Sequence, residues 1–160
     1  MKNIIPKINW PVLNIFLFLC KFKQYIIKQR QSMQDKINAV KAFHTAFKIG
    51  HRETPKADLG TEKNILRYKL MREENEEYLE AANANDLVEV ADALGDMLYI
   101  LCGTIIEHGL QYKIEEVFDE IQRSNMSKLG ENGEPIYRED GKVLKGPNYF
   151  KPNIQEILER

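Results

Sequence analysis

The sequence predicts an all-α fold, a bundle of four to five helices followed by a small C-terminal β-hairpin. Two observations carry that expectation. Apolar residues recur every three to four positions through most of residues 34–126, the period of helices that bury one face. The breaks in the pattern fall on helix-stopping residues: Gly50 and Pro55, the Asn83-Ala84-Asn85-Asp86 run, and His108-Gly109.

The elements follow in order. Gln34 to Lys48 reads as an amphipathic helix with Ile37, Val40, Phe43 and Phe47 inward, ended by the loop that starts Gly50-His51-Arg52-Glu53-Thr54-Pro55. Thr61 with Asn64 starts a second helix that runs to about Ala82. Residues 83–86 make a tight connection in which Asn85 or Asp86 caps the third helix. That helix ends at His108-Gly109, where glycine takes the left-handed terminal conformation. Residues 112–126 form a fourth helix with Ile114, Val117, Phe118 and Ile121 on one face. The short connection makes helices two and three antiparallel neighbours. From Pro135 to Gly146, two short β-prone runs flank Asp140-Gly141, a hairpin signal.

A chain of 160 residues, 43% hydrophobic, can bury one sizeable core and reads as one domain. Its net charge of −1 provides no basic field for nucleic acid. Cys20 and Cys102 are too few for a disulfide framework or a zinc site, and a cytoplasmic setting fits best. Lys2 and Lys7 precede an apolar run from Trp10 to Cys20, and Lys21, Lys23, Lys28 and Arg30 follow it, so the start superficially resembles a signal peptide. The run is shorter than the roughly 20 residues that span a bilayer, and no small-x-small cleavage site follows. The expectation is a dispensable extension at 1–32, no membrane attachment, and a functional domain at 33–160.

The chemistry lies in two acidic clusters, Glu73-Glu74-Asn75-Glu76-Glu77 and Glu89-Val90-Ala91-Asp92-Ala93-Leu94-Gly95-Asp96. Leu66, Leu70, Glu73, Glu74, Glu77 and Ala81 share one helical stripe, so these acids are expected to point inward. In the next helix Glu89, Asp92, Asp96, Tyr99, Gly103 and Ile106 form one seam while Leu94, Leu98, Leu101 and Ile105 cover the other sides. A helix apolar nearly all round is a buried one. Alone, the first cluster reads as a solvated face with i,i+4 pairing. Asp92 and Asp96 change that reading, because aspartate is a poor helix-interior residue and a buried carboxylate needs a neutralising partner. Hard divalent cations suit such an oxygen set.

Glu73-Glu74-x-x-Glu77, Glu89-x-x-Asp92 and Asp96-Met97-Leu98-Tyr99 together resemble the all-α nucleoside triphosphate pyrophosphohydrolases. Asp92 to Tyr99, Gly103, His108-Gly109 and Ser124-Asn125-Met126-Ser127-Lys128 narrow the likeness to the MazG-like branch, labelled phosphoribosyl-ATP pyrophosphohydrolase-like, over about residues 35–158. The resemblance implies cleavage of the α–β bond of a nucleoside triphosphate with Mg²⁺ or Mn²⁺, giving monophosphate and pyrophosphate, in nucleotide-pool housecleaning. It implies Glu74, Glu77 and Asp96 as metal ligands and Glu73 as ligand or water-orienting base. Many members carry Glu three residues before the last Asp, where this chain has Ala93, so Asp92 stays as a ligand and Glu89 as a weaker one. The likeness also implies Asn125 and Lys128 as nucleotide-binding residues, and a homodimer or homotetramer. Lys142 and Lys145 on the hairpin are expected either to close over phosphate or to serve surface solubility. Two alternatives remain open: a noncatalytic bundle that binds metal or nucleotide, and a phosphoribosyl-ATP pyrophosphohydrolase of histidine biosynthesis.

Overall fold

In a computed structural model that describes residues 32–160, five helices account for the regular structure. They are α1 (Met33–Ala46), α2 (Thr61–Ala84), α3 (Leu87–Glu107), α4 (Ile114–Met126) and α5 (Ile154–Glu159). The expected extension falls, apart from Ser32, outside the described residues. Among the described residues no helix is long and apolar enough to cross a membrane.

The α2–α3 hairpin is the backbone of the fold. Asn85 ends α2 in the left-handed conformation, φ 55°, and its N–H reaches the Ala81 and Ala82 carbonyls. Asp86 then caps α3, its carboxylate accepting from the Val88 and Glu89 N–H groups at 3.0 and 3.2 Å. Two residues therefore reverse the chain. At the far end Arg67 bolts the helices together: Nε donates to Thr104 Oγ1 at 2.9 Å and Nη2 to the Ile100 carbonyl. One turn further out, Lys63 pairs with buried Glu107 at 3.3 Å.

The loop after α1 is strapped across the end of α3. The Arg52 N–H donates to Ile106 O, the Lys56 N–H to His108 O, and Gln111 Nε2 to Arg52 O at 2.6 Å. Gly109, at φ 71°, is the residue this strap requires, because a Cβ there would stand 2.1 Å from the Thr54 carbonyl. Ile37, Val40 and buried His44 of α1 join Ala93, Cys102, Ile105 and Ile106 of α3 in the core. His44 Nδ1 donates to Gly50 O at 3.0 Å.

Three expectations are corrected. Phe43 and Phe47 are 37% and 66% exposed rather than inward, because α1 covers α3 with its Ile37-Val40-His44 edge. On α4, Phe118 and Ile121 are exposed while Ile114 and Val117 are half-buried. The tail forms no strands among the described residues. A turn closed by one antiparallel bridge, Tyr137 to Val143, stands where a hairpin was expected. Only about one pair of β-type hydrogen bonds flanks that turn, too little for a ladder.

Candidate active site

The register set by Arg67 decides which acids meet. Two turns from the Arg67–Thr104 bond toward the connection, Glu74 comes level with Asp96 and Met97. Glu74 is half-buried, and burial pushes its carboxyl above the usual carboxylate range. Repulsion from Glu77, Asp96, Glu73 and Asp92 adds to that shift. Four carboxylates from two helices thus act electrostatically on the half-buried Glu74 carboxyl. Glu76 stands apart, paired with Arg72 at 3.4 Å across one helical turn as a solvated face predicts.

Glu89 adjoins that group through Glu77. It lies nearer the connection, in a hollow of about 430 Å³ shared with Glu77, Glu80 and Asp86. Ala93, which occupies the position where a further acid was looked for, is buried.

The inward orientation expected for the acids does not hold. Glu73, Glu77, Glu89, Asp92 and Asp96 are exposed, and so is Leu66 on the α2 stripe. Nor is α3 buried all round: Leu94, Leu98 and Leu101 are 49%, 41% and 43% exposed. The reason is coverage, since α2 and α1 pack on only part of the α3 circumference. Among the described residues no three His, Cys, Asp or Glu side chains stand close enough to hold a metal ion together. The donor set is nonetheless all carboxylate oxygen, and the raised Glu74 carboxyl marks charge that a hard divalent cation would relieve.

The four residues expected to hold nucleotide lie at the end of α4 and on the tail, and of the four only Asn125 and Lys128 hydrogen-bond to each other. Lys128 Nζ donates to Asn125 Oδ1 at 2.7 Å. Lys145 lies 4.3 Å over the Tyr149 ring, and Lys142 is exposed on the turn. Their placement depends on residues that sequence reasoning had not singled out for this role. Buried Ser124 donates to Phe150 O at 2.8 Å, Ser127 Oγ accepts from the Phe150 N–H at 3.2 Å, and the Gly146 N–H reaches Lys128 O. The serines of the Ser124-to-Lys128 motif therefore fasten the tail. Arg67 and Glu107 were likewise missed, because nothing local to either residue signals a partner some 40 positions away.

A family model described as phosphoribosyl-ATP pyrophosphohydrolase matches residues 40–125, just over half of the chain. The match runs from α1 to the end of α4 and includes both acidic clusters. No curated protein matches the chain.

Proposed function

The chain belongs to the phosphoribosyl-ATP pyrophosphohydrolase family, within the MazG-like all-α superfamily, and from that premise we propose that it hydrolyses nucleoside triphosphates between the α and β phosphates. Membership makes it a pyrophosphohydrolase of the MazG-like type. The observation that supports the finer reading is the convergence of Glu73, Glu77, Asp92 and Asp96 on half-buried Glu74. A triphosphate carries about four negative charges and enters a ring of carboxylates only with counter-charge.

Glu74, Glu77, Asp92 and Asp96 would hold Mg²⁺ or Mn²⁺, with Glu89 as an outer candidate. When bound there, the ion supplies charge neutralisation and Lewis acidity to the phosphoryl oxygens. Glu73 orients the attacking water and takes its proton. The water oxygen bonds to phosphorus, the bridging P–O bond breaks, and pyrophosphate leaves with the electron pair. Asn125, Lys128, Lys142 and Lys145 contact the nucleotide and its phosphates. Copies pair as a homodimer or homotetramer, a state that light scattering reads directly. The setting is the cytoplasm, and the role is removal of unwanted nucleotides from the pool.

Phosphoribosyl-ATP is the second substrate reading, favoured by the family's description. Incubating the full chain with nucleoside triphosphates and phosphoribosyl-ATP, with Mg²⁺ or Mn²⁺, tests both. Pyrophosphate among the products, lost in Glu74→Gln and Asp96→Asn, is the expected result. Orthophosphate alone, or silence across the panel, would overturn the reading and leave a noncatalytic bundle.

A further inference from the structure

Two glycines interrupt α3, and only one of them is required by its neighbours. A Cβ at Gly103 would stand 2.9 Å from Arg67 Nη2 and 2.9 Å from His44 Nε2, so the clamp needs glycine there. A Cβ at Gly95 would meet nothing within 4 Å among the described residues. Glycine inside a helix is costly relative to alanine, and at Gly95 no contact among the described residues offsets that cost. Gly95 instead opens onto a cleft of about 180 Å³ between α1 and α3.

The cleft is walled by Ala39 and Val40 of α1 and by Leu98, Tyr99 and Cys102 of α3; apart from Lys36, its lining is apolar or aromatic. Tyr99 is braced edge-on against Phe43, ring centroids 5.6 Å apart at 83°, and Phe43 stacks on Phe47 at 4.3 Å. Tyr99 is itself 39% exposed. A volume of about 180 Å³ is below the ordinary ~300–1,000 Å³ of a whole-ligand pocket, so the cleft suits one flat part of a ligand. Its position says which part. Asp96 is the next residue after Gly95, and Tyr99 lies one turn further on, a rise of about 4.5 Å from Asp96. A neutral aromatic side chain therefore stands within one helical turn of Asp96 along α3.

We propose that the Gly95–Tyr99 cleft between α1 and α3 is the base subsite, holding the heterocycle of the nucleotide against Tyr99 while its phosphates lie over the α2–α3 carboxylates. This assignment rests on the nucleotide reading of the acidic site. It explains why Gly95 is glycine and why an aromatic pair is braced beside an acidic cluster.

The test is Gly95→Leu in the full chain, with Tyr99→Leu as a second variant. The expected result is a KM for nucleoside triphosphates raised about tenfold or more, within the range for losing one base–aromatic stack. Inhibition by inorganic tripolyphosphate, which has neither base nor sugar, stays unchanged. An unchanged KM in both variants overturns the assignment, as does a parallel loss of tripolyphosphate inhibition. A change in oligomeric mass by light scattering also overturns it, because the cleft would then be a contact between copies. Should the wild type turn over no nucleotide, the functional reading fails separately. Saturation-transfer NMR with a phosphate-free nucleoside then decides the subsite: binding to the wild type that disappears in both variants supports it, and no binding to the wild type overturns it.

Discussion

Replacing Arg67 with methionine tests the bolt that aligns the acidic helices. The Arg67 side chain is 10% exposed, and burial pushes its guanidinium below its ordinary range while Glu107 opposes the shift. It donates to Thr104 Oγ1 and Ile100 O, and its Nη1 lies 3.9 Å from Glu107. Methionine keeps most of the aliphatic stem but removes every donor. The Ile100 carbonyl still receives the Thr104 hydroxyl at 2.9 Å, so the stranded group is Glu107, 4% exposed and left with Lys63 alone at 3.3 Å. Removing one partner of a buried pair costs about 3–5 kcal/mol, and the surviving lysine places this case near the lower end, about 3 kcal/mol. At about 2–4 °C per kcal/mol for a chain of this size, the thermal midpoint falls by on the order of 10 °C. Arg67→Met/Glu107→Met removes the stranded charge as well and recovers most of the loss, since well-packed apolar replacements of buried ion pairs are often neutral. Urea unfolding of the wild type, both single variants and the double variant closes the cycle. A cost below about 1 kcal/mol for Arg67→Met, or a double variant no better than the single, would refute a stabilising buried pair.

Two further predictions concern the site and the tail. The raised Glu74 carboxyl binds its proton more tightly folded than unfolded, so its contribution to stability is full below the ordinary glutamate range and is lost as pH climbs through the raised value. In chelator, Glu74→Gln should flatten the decline of the thermal midpoint as pH rises above the ordinary glutamate range and abolish the rise on adding Mg²⁺. The same pH slope in wild type and variant would sink that reading. At Gly146 a Cβ would stand 2.1 Å from the Leu129 carbonyl. Gly146→Ala is therefore expected to free the tail, seen as faster proteolysis near residues 142–150 and a raised KM, with helix content unchanged; wild-type cleavage rates would contradict it.

The local features of this protein were legible in its sequence. Asp86 caps α3 and Gly109 takes the left-handed position at its end because capping and glycine conformational freedom depend on a few neighbouring residues. The chain therefore announced α1 to α4, a tight connection at residues 83–86 and the order of its acids, but not the two extra residues of α2 or the short α5. It did not announce which acids meet. That depends on the Arg67–Thr104 and Lys63–Glu107 pairs, whose members lie about 40 positions apart and carry no periodic signal. The register they impose sets Asp96 beside Glu74 and leaves Glu89 at the connection. Exposure was decided at the same level. Hydrophobic periodicity states that a face prefers burial, but neighbouring elements determine whether it is covered, and in α3 they leave Leu94, Leu98 and Leu101 open. The tail follows the same rule: Asp140-Gly141 specified a turn, while the Ser124 and Ser127 hydroxyls and the tight seat of Gly146 determined where the following segment lies.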